Sequence, residues 1–193
     1  MSELDILRAA DRPATAWKNG GGVTREVAVY PSGASFETFD WRISIASVGS
    51  AGPFSRLPGI ERLLAVLEGR LCLQVADQAA VVLSPESLPH ALCGDVPTSA
   101  TLPAGPVTDL NVMTRRGRFR SALARYAHEK TSTIQTGGAT TVLIALEAFG
   151  LETPGATQIL GPLDAVMFTG PTAVRLSPRS ASVTYYRVAL TEI

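Results

Sequence analysis

Short runs with strand-like patterns recur along nearly the whole chain, and they restrict the folds it can adopt. Polar and apolar residues alternate at the start of Trp41–Ala46, whereas Leu63–Leu67 is a short apolar run typical of a buried strand. Gly and Pro residues separate such runs, and this pattern predicts an all-β fold, a sandwich or a barrel. The other runs of this kind are Thr24–Tyr30, Leu71–Val75, Ala80–Leu83, Leu110–Met113, Thr141–Leu146, Asp164–Phe168 and Val183–Val188.

Two segments fit this pattern less clearly. In residues 117–128, the spacing of Phe119, Ala122, Leu123 and Tyr126 fits one face of a helix. The basic residues just before this face and the lack of clear caps leave both helix and strand open. The segment Thr131–Gly138 is rich in Ser, Thr and Gly, and we expect a loop or a junction between two halves there.

The segment Trp17–Glu26 contains three consecutive glycines, Gly20 to Gly22. A phosphate-binding loop would need a lysine after the glycines and then a helix, but Lys18 precedes them and Thr24–Tyr30 has a strand pattern. Two interpretations remain, an ordinary turn or the rim of a small-molecule pocket. In the second, at least one glycine has a positive φ or lies against the pocket mouth.

Composition excludes several classes of partner. The 17 basic and 17 acidic residues cancel, so we expect no binding to nucleic acid or to an anionic membrane. The hydrophobic content of 46% indicates a globular protein, and no apolar run has the length of a membrane span. The segment Ser2–Arg8 lacks the features of a signal peptide, so we expect a cytoplasmic protein. Cys72 and Cys93 are far apart and have no metal-binding spacing.

A set of short motifs occurs in a fixed order along the first 117 residues. The motifs are Trp17–Glu26, Trp41–Ser44, Gly52–Ser55, Pro58–Arg62, Leu67–Gly69, Gly94–Asp95, Gly105–Val107, Asp109–Met113 and Arg115–Gly117. Together they resemble the HutD/Ves family. The resemblance implies a bicupin, two small β-barrels in one chain, with a first half at residues 1–130 that holds the ligand pocket. A smaller second half would span 131–193 and be completed by strands from the N-terminal region.

The resemblance to cupins also implies where a metal would bind. Metal cupins carry two His and a Glu before a turn like Val66–Gly69, and a third His on a later strand. Aligned on that turn, the Glu position falls on Arg62, the two His positions fall near Arg56 and Pro58, and only the last His is matched, by His90. Arginine and proline do not ligate divalent metals. We therefore expect no metal and no cofactor.

Arg62 in place of a metal ligand would change the pocket into an anion site. It alternates with Leu64 and Val66, so we place it on the inner face of its strand. A guanidinium recognises a carboxylate through two parallel hydrogen bonds. The alternative is an arginine on the outer face that is simply solvated.

Further polar residues alternate on the neighbouring strand patterns. Arg42 and Ser44 share one face, and Asp109 with Asn111 forms either the polar face of an edge strand or a part of the site. Lys18, Arg42 and Arg62 are expected to hold carboxylates, and Asn19, Thr24 and Asn111 to supply neutral hydrogen bonds. Glu26 would accept from a ligand amine or orient an arginine. The ligand-binding residues we predict are Lys18, Asn19, Thr24, Glu26, Arg42, Ser44, Arg62 and Asn111.

Together, these expectations predict a metal-free protein that binds a small carboxylate. The family is associated with bacterial histidine utilisation, which implies urocanate or a formyl- or formimino-glutamate as ligand and a regulatory role. The alternative is a metal-free isomerase or hydrolase that uses Glu26 as general base. A third class is a purely structural partner protein. The sequence sets no oligomeric state and leaves a homodimer open.

Overall fold

The structure, a computed structural model, describes residues 3–193 and consists mainly of β-strands, with one turn of 3₁₀ helix at Ala9–Asp11. Contacts within the chain group it into two compact units. The first unit is Arg12–Arg120 with Ile193, and the second is Ser121–Glu192 with the described residues up to Asp11. The division after residue 130 stays a prediction beside this grouping. Within residues 3–193 no helix has the length and apolar character needed to cross a membrane.

The first unit contains a six-stranded antiparallel sheet with the strand order β2-β3-β4-β11-β6-β9. Three neighbouring strands in this sheet, β4, β11 and β6, are largely buried because apolar residues occupy both of their faces. The strands are β2 (Ala14–Ala16), β3 (Gly22–Tyr30), β4 (Trp41–Val48), β6 (Ile60–Glu68), β9 (His90–Cys93) and β11 (Val107–Arg115).

A four-stranded antiparallel sheet completes the first unit, with the order β5-β10-β7-β8. Leu64 and Val66 of the larger sheet and Leu71 and Leu73 of the smaller sheet belong to one buried cluster, so the two sheets share a core. The strict alternation of buried and half-buried residues in β7 is typical of a sheet with one face on the core. The strands are β5 (Gly52–Pro53), β7 (Leu71–Val75), β8 (Val81–Leu83) and β10 (Thr98–Thr101).

The second unit has a five-stranded sheet, β1-β17-β14-β19-β12, and a four-stranded sheet, β13-β18-β15-β16. Its core joins Phe168 of the first sheet to Phe149 and Leu176 of the second. The strands are β1 (Glu3–Leu7), β12 (Phe119–His128), β13 (Ser132–Gln135), β14 (Thr140–Ala145), β15 (Phe149–Thr153), β16 (Ala156–Leu160), β17 (Ala165–Thr169), β18 (Ala173–Pro178) and β19 (Val183–Glu192).

Both ambiguous segments form strands. Residues 119–128 are β12, an edge strand in which Leu123 is buried and most other residues are half or fully exposed. The helical spacing was therefore coincidental, because Phe119 and Leu123 also share a face in a strand of period two. The expectation of a loop over Thr131–Gly138 is wrong for Ser132–Gln135, which pairs with β18. Sheet pairing outweighed the polar composition of this segment.

Candidate ligand-binding site

The glycine segment forms a tight loop between β2 and β3. The Trp17 carbonyl accepts a hydrogen bond from the Gly20 amide at 3.0 Å, and the Asn19 Oδ1 atom accepts one from the Gly21 amide at 3.0 Å. Gly20 has a φ of +71°, which confirms the expectation of a positive φ within the glycine triplet. The Trp17 indole donates to the Thr24 hydroxyl at 2.8 Å and thereby ties the loop to β3.

The remaining two glycines allow this loop to lie against the end of β4. A Cβ atom on Gly21 would lie 2.8 Å from the Ser50 Oγ atom, and one on Gly22 would lie 2.6 Å from the Ser47 carbonyl oxygen. The Gly21 carbonyl accepts a hydrogen bond from the Gly49 amide at 2.8 Å. The triplet thus combines one left-handed residue with two close backbone approaches.

A cavity of about 640 Å³ lies within the first unit, beside this loop. The loop, the polar faces of β4, β6 and β11, and residues 50–55 contribute to its lining. Seven of the eight predicted residues line it, while Glu26 does not and contacts Arg42 instead. The seven are Lys18, Asn19, Thr24, Arg42, Ser44, Arg62 and Asn111.

Strand register brings the polar residues of three strands together. Asn111 on the central strand β11 lies opposite Ser44 on β4. Met113, two residues further along β11, lies between Arg42 on β4 and Arg62 on β6. Because side chains two residues apart share a face, both arginines and Asn111 border the same cavity.

Arg62 is buried, with 9% of its surface exposed. Its Nη2 atom donates to the Asn111 Oδ1 atom at 2.7 Å, and its guanidinium carbon lies 4.8 Å from the centroid of the Phe54 ring. Its Nε atom is buried and has no hydrogen-bond partner within residues 3–193. A buried guanidinium normally has its donors satisfied, so this open donor indicates a place for an acceptor.

Asp109 completes a chain of three polar side chains. Its carboxylate accepts a short hydrogen bond from the Asn111 Nδ2 atom, and 1% of its surface is exposed. Burial raises the pKa of Asp109 to about 7, against smaller opposing effects of the Arg62 charge and the Asn111 hydrogen bond. Burial likewise lowers the pKa of Arg62, partly opposed by the charge of Asp109. Arginine stays protonated in proteins even so.

Arg42 has a different environment from Arg62. Its Nε atom donates to the Glu26 carboxylate at 2.7 Å, and its guanidinium carbon lies 5.1 Å from the ring centroid of Phe36. The Arg42 side chain is 15% exposed and that of Glu26 is 40% exposed. Of the two roles expected for Glu26, this geometry matches the orientation of an arginine.

The buried carboxyl of Asp109 predicts that the protein loses stability as pH rises. The native state holds the Asp109 proton more tightly than an unfolded chain, in which the pKa of Asp is about 4. The stabilising contribution is therefore complete below pH 4 and is lost as pH rises through 7. The slope is at most about 1.36 kcal/mol per pH unit and halves near pH 7, so the contribution of Asp109 to the free energy of unfolding should fall by about 2 kcal/mol between pH 5 and pH 7.

Urea unfolding of the wild type and of Asp109→Asn at several pH values measures this loss. The difference between the two proteins isolates Asp109, because the other titrating groups are common to both. Parallel stability curves for the two proteins between pH 5 and pH 8 would contradict the prediction.

The residues at the cupin metal positions do not fit a metal. Arg56 and Pro58 are exposed, and Arg62 has only donor groups. His90 begins β9 opposite Leu64 and is not among the residues that line the cavity. Among residues 3–193 no three His, Cys, Asp or Glu side chains are grouped as metal ligands.

Sequence reasoning left three features of the cavity unassigned. The sequence pattern of Asp109 fits an edge strand as well as a site, although its position two residues from Asn111 is a signal that favours the site. Phe36 and Phe54 were not proposed, because no local pattern links either ring to an arginine on another strand. The contact of each ring with its arginine depends on the path of a loop, and strand periodicity gives no information about loop paths.

Comparison with known proteins matches residues 9–185 to the family described as HutD. An uncharacterised 21.2 kDa protein in the hutC 3′ region of Pseudomonas putida is 36% identical over 146 residues, 75% of this chain and 75% of that protein. Protein Ves of Citrobacter koseri is 36% identical over 146 residues, 75% of this chain and 73% of that protein.

Solved structures agree with the sequence comparisons. A conserved protein of unknown function from Pseudomonas aeruginosa PAO1 has a TM-score of 0.89 at 30% identity, with 97% of this chain and 98% of that chain covered. HutD from Pseudomonas fluorescens SBW25 has a TM-score of 0.83 at 26% identity, with 99% and 100% covered.

The fold extends to more distant proteins. A cupin 2 conserved barrel domain protein from Leptotrichia buccalis has a TM-score of 0.62 at 8% identity, with 92% of each chain covered. At that identity the likeness concerns the fold alone, and it confirms the all-β, cupin-type architecture that the motifs implied. The family model, the curated relatives and the HutD structure together establish that this chain belongs to the HutD/Ves family.

Proposed function

We propose that this protein binds a small carboxylate metabolite in the cavity of its first unit, without a metal. The observation that carries the proposal is Arg62, a buried guanidinium that lines the cavity and has an Nε donor with no hydrogen-bond partner within residues 3–193. A carboxylate oxygen is the acceptor that best matches such a donor, because the guanidinium fork and the carboxylate can pair through two bonds.

The charges around the cavity support an anionic ligand. Lys18, Arg42 and Arg62 line it, and Asp109 is its acidic lining residue. The ion pair with Glu26 already offsets the charge of Arg42, whereas Lys18 is exposed on the glycine loop. In the proposed complex Arg62 anchors the carboxylate, and Lys18 from the loop contacts a second polar or anionic group of the ligand.

The size of the cavity supports a metabolite of modest mass. Its volume of about 640 Å³ lies within the range of roughly 300–1,000 Å³ common for small-molecule sites. The family association with histidine utilisation makes urocanate and formyl- or formimino-glutamate the candidate ligands, and a cytoplasmic regulatory role belongs to the same proposal. These ligands combine a carboxylate with further hydrogen-bonding groups, which the neutral side chains Asn19, Thr24 and Ser44 could contact.

The enzymatic alternative has weaker support. It requires Glu26 as a free general base, but the Glu26 carboxylate is engaged by the Arg42 guanidinium at 2.7 Å. With its carboxylate held by this contact, Glu26 would have to leave Arg42 before it could approach a ligand as a general base. The proposal therefore expects the ligand to be released unchanged.

A thermal-shift experiment with N-formyl-L-glutamate at pH 6 tests the proposal. Ligand that binds only the folded state stabilises it by about 2.7 kcal/mol at a hundredfold excess over the dissociation constant. The neutral diamide of the same compound is the matched control and should give no shift. Recovery of unaltered N-formyl-L-glutamate, judged by NMR, separates binding from catalysis. An equal shift with the acid and the diamide would refute carboxylate recognition.

A further inference from the structure

Three side chains from two strands connect the cavity to a buried acid. Arg62 on β6 donates to the Oδ1 atom of Asn111 on β11, and the Nδ2 atom of Asn111 donates to Asp109 on the same strand. The orientation of the Asn111 amide is fixed by chemistry, because arginine has only donors and must face the amide oxygen. The amide nitrogen is then directed at Asp109, which accepts.

This arrangement leaves Asp109 free to gain or lose a proton without loss of the contact. The Asn111 amide donates to the Asp109 Oδ1 atom, which can accept that bond whether the other oxygen carries a proton or not. Asp109 lies opposite Ala46 on β4 and Val66 on β6, so its immediate strand neighbours carry no charge. Of the charged groups, Arg62 affects Asp109 most strongly.

The other charged groups near the cavity are distributed around its wall. Arg42 on β4 is paired with Glu26 on β3, and Lys18 is exposed on the glycine loop. The lining residues from the four-stranded sheet and from the segment after β5, which contains Phe54, include no acid or base. Asp109 and Arg62 are therefore the buried charges of the cavity, and in the free protein they offset each other above pH 7, where Asp109 is ionised.

We propose that a carboxylate binds at Arg62 together with one proton, and that Asp109 is the site that takes up this proton. The proposal rests on the proposed carboxylate-binding function and adds the proton as a second ligand of the same cavity. In the coupled step the ligand stays an anion. A proton from solvent forms an O–H bond on the Asp109 carboxylate, and no other bond forms or breaks.

The physical cause is repulsion between like charges in a buried site. Once a ligand carboxylate pairs with Arg62, one cation faces two anions that are shielded from water. A second carboxylate nearby disfavours the ionised form of the first, so the pKa of Asp109 rises further. Protonation of Asp109 returns the net charge of the buried groups to zero, the value that ionised Asp109 and Arg62 have together in the free protein. The same linkage makes the anion bind more tightly at low pH.

Isothermal titration calorimetry with N-formyl-L-glutamate, whose carboxylates do not titrate between pH 6 and pH 9, measures the coupling. Titrations in HEPES and in Tris give the number of protons taken up from the difference in buffer ionisation heat. If Asp109 is fully protonated in the complex and has a pKa of about 7 in the free protein, uptake is about 0.9 proton at pH 8 and about 0.1 at pH 6. The affinity should then fall by about eightfold between pH 7.5 and pH 8.5.

The matched variants are Asp109→Asn and Asp77→Asn. The first keeps the shape and cannot titrate, so it should bind with no proton uptake and an affinity independent of pH. The second replaces an exposed aspartate in the turn after β7 and should behave as the wild type. Binding by the wild type at pH 8 without proton uptake overturns the coupling and leaves the proposed function standing. Absence of binding at pH 6 overturns the proposed function itself.

A ligand-free measurement decides the proton site independently. In protein labelled with ¹³C at the aspartate carboxyl, the resonance absent from Asp109→Asn should titrate near pH 7. In Arg62→Met it should titrate at least one pH unit higher, because loss of the positive charge imitates neutralisation by a ligand. An Asp109 resonance that titrates near pH 4 in the wild type would overturn the proposal.

Discussion

Replacement of Arg62 with methionine is expected to weaken the binding of N-formyl-L-glutamate by at least tenfold. Methionine preserves much of the apolar stem against Phe54 but removes all the donors and the charge. A hydrogen bond to a charged group contributes roughly 1.5–3 kcal/mol, and each 1.4 kcal/mol is about tenfold in affinity. Calorimetric titration at pH 6 measures the loss, with circular dichroism to show that the fold is intact.

Two further variants make this result specific. Arg62→Lys should also bind more weakly, because an ammonium cannot reproduce the two parallel bonds of a guanidinium. Arg70→Met alters an exposed arginine in the turn between β6 and β7 and should leave the affinity unchanged. Unchanged affinity in a folded Arg62→Met protein would place the ligand away from Arg62.

Gly94→Ala is expected to have the largest effect on stability. A Cβ atom at this position would lie 2.3 Å from the Leu57 carbonyl oxygen and 2.8 Å from the Ile60 carbonyl oxygen. Both oxygens belong to the backbone, and Gly94 is hydrogen-bonded to both of these residues, so neither oxygen can retreat easily. Overpacking typically costs roughly 1–3 kcal/mol, and the clash with two backbone oxygens places this substitution at the upper end of that range. Urea unfolding at fixed pH measures the change.

Gly155→Ala is the matched control for this prediction. It lies in the turn between β15 and β16, and a Cβ atom there would meet no heavy atom within 4 Å. Its φ lies outside the left-handed region, so alanine should be neutral or slightly stabilising. A Gly94→Ala protein as stable as Gly155→Ala would show that the segment at Leu57–Ile60 adapts more readily than its hydrogen bonds indicate.

Strand periodicity in the sequence was sufficient for the β character of the fold and for the faces of individual strands. The alternation of Arg62 with Leu64 and Val66 placed all three on one side of β6, and the latter two are indeed in the core of the first unit. This works because successive side chains point to opposite sides of any strand, whatever its neighbours are. The same local rule could not distinguish helix from strand at residues 119–128, where the two spacings coincide and the structure has β12.

The conformation of the glycine segment could be predicted only in part from the sequence. A triplet of glycines signals unusual backbone, and Gly20 has the positive φ that this implies. Which of the other two glycines meets a side chain and which meets a carbonyl depends on how the loop lies against Ser47–Ser50. That position is set by contacts between segments about 25 residues apart, so no local pattern contains it.

Residue patterns and family motifs were enough to predict the all-β, cupin-type architecture, the replacement of three of the four cupin metal ligands, and the inner face of β6 for Arg62. Tertiary structure alone decided that Asn111 joins Arg62 to Asp109, that Glu26 pairs with Arg42, and that Phe54 stacks on Arg62. These contacts depend on the register between strands and on the paths of loops, which strand periodicity does not encode. A shift of one residue between β6 and β11 would preserve every strand pattern in the sequence and would separate Arg62 from Asn111.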